Sequence, residues 1–191
     1  MGFTFTEEDL KKGSEGTRFN NGVPGRVKNV TVYMEEAGAD GVPANTNSKA
    51  PKFKLFFVDA QGRKMNRACF DINPAEYPDK YGKTYEDALR KEFTYLNKVV
   101  EHTGGAKVFS FNDSEDLFSK IKQAIGTKKL TVFANYGSSN SPKEYIEPRR
   151  WLPAVESADT PDNETRLVAD RLDNMVPPAP STQADTEKDF F

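Results

Sequence analysis

A length of 191 residues suits one folded domain with an appendage, since single cores are usually built from roughly 100–200 residues, and no stretch approaches the ~18 consecutive apolar residues of a membrane span. Cys69 is the only cysteine, which excludes an intramolecular disulfide; residues Met1 to Glu8 lack the basic start and apolar run of a secretory signal, so a cytoplasmic, reducing setting is expected. The formal net charge of -2 divides unevenly: from Glu156 onward nine acids face three bases, a net of -6, while the preceding residues carry +4, so polyanion binding would rest on local placement of Lys and Arg rather than on the global field.

In chain order, Thr6-Glu7-Glu8-Asp9 before Leu10 reads as an N-capped helical turn that Gly13 ends. From Arg26 to Met34, Val30, Val32 and Met34 alternate with Asn29, Thr31 and Tyr33, the period-2 pattern of a half-buried strand. Ala37 to Pro51, rich in Gly, Asn and Pro, reads as a long loop, and loops of that length inside a domain are often functional. Lys52 to Val58 and Arg63 to Ile72 form two β-rich runs joined by Asp59-Ala60-Gln61-Gly62, a hairpin signature. Phe53, Leu55 and Phe57 share one face of the first run, leaving Lys52, Lys54 and Phe56 on the other.

After a Pro- and Tyr-containing turn, Asn73 to Gly82, Thr84 caps a helix running to about His102. Its expected buried stripe is Tyr85, Leu89, Phe93, Leu96 and Val100, and Gly104-Gly105 stops it. Asp113 caps a second helix over Ser114 to Ile125, with Gly126 as its stop. Lys129 to Tyr136 returns to strand, Gly137 to Pro142 turns, and Lys143 to Glu147 leads a last strand toward Arg149-Arg150-Trp151. From Glu156 to Phe191, four prolines and many small polar residues predict a largely disordered acidic tail. Within it Leu167, Val168, Leu172 and Met175 fall at near-helical spacing, so Glu164 to Met175 either docks as a short helix on the body or on a partner, the slightly favoured reading, or remains unfolded.

This order, with helices between the third and fourth strands, predicts a mainly β fold with helices. The expected form is a five-stranded, partly open barrel of the oligonucleotide/oligosaccharide-binding (OB) type over residues 1–155, followed by the tail 156–191. A split α+β sheet and a two-layer sandwich share the same elements. In such a barrel the loops joining strands one to two and four to five flank the nucleic-acid face. Here these are Ala37 to Pro51 and Gly137 to Pro142.

Sequence-tolerant binding of a single strand needs cations along a groove and aromatic faces between them. Lys52, Lys54, Phe56, Arg63, Lys64 and Arg67 supply both on the hairpin. Tyr136, Lys143, Tyr145, Arg149, Arg150 and Trp151 repeat the mixture near the last strand. Catalysis finds little support: His102 and Cys69 are each alone in their type, so the common Cys/His zinc sites cannot be assembled. Neither a G-x-S-x-G elbow nor a phosphate-binding G-x-x-x-x-G-K-[ST] loop occurs. No cofactor and no metal are expected.

The terminal Asp185-Thr186-Glu187-Lys188-Asp189-Phe190-Phe191 joins acids to an aromatic end. With the strand order and the basic-aromatic hairpin, it resembles the OB-fold single-stranded DNA-binding proteins of bacteria and, more closely, of their phages, although Lys188 interrupts the acids. The resemblance implies a non-enzymatic protein of the bacterial or phage-infected cytoplasm that coats single-stranded DNA in replication, recombination or repair. It also implies recruitment of replication and recombination proteins through Asp185, Glu187, Asp189, Phe190 and Phe191, with no membrane partner; homo-oligomers fit the same picture. The rival readings are an OB-fold protein-interaction scaffold and a metal-dependent nuclease or nuclease accessory.

Overall fold

The computed structural model describes residues 18–37, 51–77, 84–137 and 145–178. Six strands, β1 (Gly25–Glu36), β2 (Phe53–Val58), β3 (Lys64–Cys69), β4 (Leu130–Tyr136), β5 (Ile146–Pro148) and β6 (Val155–Ser157), enclose one core with two helices, α1 (Tyr85–His102) and α2 (Ser114–Ala124). The strands pair antiparallel in the order β3-β2-β1-β4-β5. β5 also lies against β3, so the sheet nearly closes into the five-stranded OB-like barrel expected from the sequence, with both helices between β3 and β4.

Closure depends on β1 serving two neighbours. Its first half pairs with β4, from Gly25 opposite Ala134 to Val30 opposite Leu130, and its second half pairs with β2, from Thr31 opposite Val58 to Glu36 opposite Phe53. A bulge between Val27 and Val30 makes the handover, with Asn29 at φ 60°. Asn tolerates this left-handed conformation better than other residues with a Cβ, and the extra residue bends the strand. Beyond the bulge Val30, Val32 and Met34 point inward, to meet Phe53, Leu55 and Phe57 of β2 and Met65 and Cys69 of β3.

The helices begin where their capping residues dictate. Thr84 and Asp87 form a reciprocal capping box at the start of α1, and the Asp113 side chain accepts from the Asp116 N–H at the start of α2. The buried face of α1 differs from the expected stripe. Tyr95, Leu96, Val99 and Val100 enter the core, whereas Tyr85, Leu89 and Phe93 are only partly covered. The cause is that α1 packs against β6 and α2, and its apolar contacts concentrate in its last two turns.

The largest departure from expectation is at the C-terminal end. The boundary drawn after Val155 falls inside the folded body, because Val155, Glu156 and Ser157 form β6 and continue along the β4 edge that β5 began. Residues 158–178 then form a strap across this end of the barrel. Buried Glu156 accepts hydrogen bonds from Thr165 Oγ1 (2.8 Å) and the Arg166 N–H (2.5 Å), and Leu167 is buried. Asn174 is buried too, its Nδ2 donating to the Tyr136 carbonyl at 2.9 Å. The helix expected over Glu164 to Met175 is absent; only Leu172–Met175 makes a 3-10 turn, and Val168 and Leu172 face solvent. Polar latches rather than an apolar stripe hold this segment.

Candidate nucleic-acid interface

The outer face of β1, β2 and β3 carries the residues opposite in phase to the core. Register places Tyr33 of β1 directly across from Phe56 of β2, and Phe56 across from Asn66 of β3. The Tyr33 and Phe56 rings stack with centroids 5.0 Å apart and planes 16° from parallel. Lys64, at the start of β3, sets its Nζ 5.3 Å from the Tyr33 centroid and 5.8 Å from that of Phe56. Lys54 lies on the same face, opposite Glu35. Beside this platform a concavity of about 320 Å³ is lined by Arg18, Phe19, Lys64, Tyr145 and Ile146. Lys64 belongs to both, so the stacked rings and the concavity form one continuous surface. No family model, curated protein or solved structure matches this chain.

The remaining expected residues divide by the direction in which their strand turns them. Arg67 does not join the outer face: Met65, Arg67 and Cys69 share the inward phase of β3, and Arg67 donates two hydrogen bonds to Glu92 of α1, at 2.6 and 2.7 Å, with its guanidinium 4.3 Å from the Tyr95 ring centroid. Burial favours the neutral form, but the Glu92 carboxylate outweighs it and keeps Arg67 charged. Burial also pushes the neighbouring Cys69 thiol up to about 11.

Arg63 is likewise occupied, its Nε donating to Asp59 Oδ2 at 2.6 Å while its other nitrogens reach Asn21 and Gln61. Burial opposes the Asp59 charge, yet the N–H groups of Asn20, Arg63 and Gln61 and the Arg63 side chain hold its carboxyl below the usual range. Arg149 is buried, with Nε donating to the Trp151 carbonyl at 3.0 Å, another nitrogen to the Val168 carbonyl, and Asp170 Oδ1 at 3.7 Å. In the structure these three arginines are engaged by carboxylates and backbone carbonyls of the fold. Lys52 is half-exposed and pairs with Glu115 at 3.5 Å. Tyr136 is partly buried at the end of β4, and Tyr145 is exposed.

Arg150 and Trp151 lie on the surface between β5 and β6. Trp151 is 48% exposed, with Lys91 Nζ 4.1 Å and the Arg150 guanidinium carbon 5.9 Å from its ring centroid. A second concavity of about 350 Å³ is lined by Glu86, Leu89, Arg90, Phe93, Phe109 and Phe111. Among the described residues no group of three or more His, Cys, Asp or Glu side chains is placed to hold a metal ion, and no helix is long and apolar enough to cross a membrane. Lys143, all but the end residues of the expected flanking loop Ala37 to Pro51, all but Gly137 of the loop Gly137 to Pro142, and Asp185, Glu187, Asp189, Phe190 and Phe191 lie outside the described residues.

Three residues of this surface escaped sequence reasoning: Tyr33, Arg18 and Lys91. Tyr33 stood in the polar phase of its strand, but a 16-residue connection separates β1 from β2, so nothing local reveals that it faces Phe56. Lys91 meets Trp151 from 60 positions away. The burial of Arg67, by contrast, was visible as parity with Met65 and Cys69.

Proposed function

We propose that this protein binds single-stranded nucleic acid without regard to sequence and without catalysis, as a DNA-coating protein of phage-type replication, recombination or repair. The observation that supports this reading best is the stacked Tyr33–Phe56 pair under Lys64, open to a concavity bordered by Arg18 and Tyr145. Aromatic planes accept any base, and adjacent cations neutralise the phosphates that connect them, which is the chemistry of non-specific single-strand binding. The half-buried rings lose little side-chain freedom when a base arrives, because each already supports the other. The acidic, Phe-ended terminus Asp185 to Phe191 completes the proposal as the recruiting segment for partner enzymes.

The test is a titration of fluorescently labelled oligo-dT with the full chain, at several salt concentrations. Binding that weakens with salt is expected. Phe56→Ala and Tyr33→Ala should each cost about 1–3 kcal/mol of affinity per folded molecule. Absent or salt-insensitive binding overturns the proposal, and so does unchanged affinity per folded molecule in both variants.

A further inference from the structure

We infer that the single strand meets this protein at two stations, and that the second is the Trp151 ring with Lys91 and Arg150, held in place by Asp170 of the strap. This inference rests on the proposed binding of single-stranded nucleic acid. The ring is the chain's sole tryptophan, and Trp151 is half-exposed. Two cations converge on it from separate elements, Lys91 from α1 and Arg150 from the chain after β5. An exposed aromatic plane flanked by cations repeats the composition of the Tyr33–Phe56–Lys64 platform.

Continuity along β5 links the two. Tyr145 lines the first station beside Lys64, and Trp151 follows six residues later, so the stations are separated by at most ~20 Å of chain. A strand of several nucleotides, within the ~4–16 covered by one OB fold, spans that interval.

The backbone that presents Trp151 is fixed from the strap. Asp170, with 1% of its side chain exposed, accepts from the Arg150 N–H at 2.9 Å and the Trp151 N–H at 3.4 Å, and lies 3.7 Å from Arg149 Nε. Its own position is set by Asn135 of β4, whose Nδ2 donates to Asp170 Oδ2 and whose Oδ1 accepts from the Asp170 N–H, both at 3.3 Å. Asp170 touches no solvent-facing ligand position. It is a positioning residue for Trp151.

Because Trp151 is the only tryptophan, its emission reports the second station directly. Titrating the full chain with oligo-dT should quench that emission at the same stoichiometry that anisotropy of labelled oligo-dT reads. Trp151→Ala should weaken binding by about 5- to 150-fold, the effect of one lost base stack. Lys91→Ala and Arg150→Ala should each reduce affinity and flatten its salt dependence. Asp170→Asn should reduce both affinity and the quenching at saturation, corrected for folded fraction by circular dichroism. The double variant Asp170→Asn/Trp151→Ala should lose less than the sum of the two single losses, because Asp170 acts largely through the placement of Trp151.

Strong binding that Phe56→Ala weakens, with unchanged Trp151 emission and undiminished affinity in Trp151→Ala, overturns the second station and leaves the binding proposal standing. Additive losses in the double variant overturn the role of Asp170. Failure of the full chain to bind oligo-dT at any salt overturns both proposals.

Discussion

Arg67 decides how the charged residues of β3 are to be understood. Its side chain is 13% exposed and that of Glu92 18%, so neither ion is well hydrated, and each offsets the other's burial. The ring of Tyr95 covers the guanidinium, and the Tyr95 hydroxyl donates to the Arg149 carbonyl at 3.0 Å, which ties the pair to the far end of β5. Removing one partner is therefore costly. Glu92→Ala should destabilise the protein by about 3–5 kcal/mol in urea unfolding, whereas replacing the pair together, Arg67→Met with Glu92→Leu, should recover most of that loss. Cys69 gives a second readout of the same change. Its thiol, buried and pushed up to about 11, should resist alkylation in the parent and react faster in Glu92→Ala as local opening becomes easier. A parent thiol that reacts at the rate of the unfolded chain contradicts this packing.

At the scale of elements, the bulge in β1 governs the barrel more than any side chain on its surface. Asn29 is exposed and contributes no core contact, so substitutions there act through the backbone alone. Asn29→Gly should leave stability unchanged or slightly improved, while Asn29→Val should cost about 1–2 kcal/mol, read as a shift in the urea midpoint. Equal stability of the two variants would mean that β1 does not require this conformation to turn from β4 to β2. Strands and helices of this kind were legible in the sequence because each advertises itself locally. Val30-Val32-Met34 and Phe53-Leu55-Phe57 repeat every second residue, and Thr84 and Asp113 stand ahead of periodic apolar faces. The strap was illegible for the complementary reason. Its attachments run through Glu156, Asp170 and Asn174, polar side chains that bond distant backbone groups and leave no periodic trace. Parity exposes Phe56 and hides Arg67, but only register can join Tyr33 to Phe56.

For the molecule as a whole, the strap changes the electrostatic account. The chain through Pro178 holds 26 acids and 26 bases and is neutral as a sequence, and the remaining 13 residues carry three acids against one base. Acids assigned to a tail by composition lie against basic residues of the barrel: Asp162 bonds Arg26 and sits 2.9 Å from Lys28 Nζ, Glu156 is 3.7 Å from Arg26, and Asp170 is 3.7 Å from Arg149. With so little net charge over this span, the proposed attraction of a nucleic acid would rest on local cations, and among the described residues on those at the two proposed stations.

Those cations are Arg18, Lys54 and Lys64 at the first station, with Lys91 and Arg150 at the second. Single-strand binding loses about 0.7 in the logarithmic salt slope for each phosphate neutralised, so about five contacts predict a slope between about -3 and -4. The eight Lys and Arg residues that sequence placement selected would give about -6. Three of the eight are Arg63, Arg67 and Arg149, which pair with Asp59, Glu92 and Asp170. Releasing those arginines to phosphates would leave buried carboxylates behind, at several kcal/mol each. The shallow slope is the expected result, and Glu92→Gln should leave it unchanged while Lys64→Ala reduces its magnitude by about 0.7.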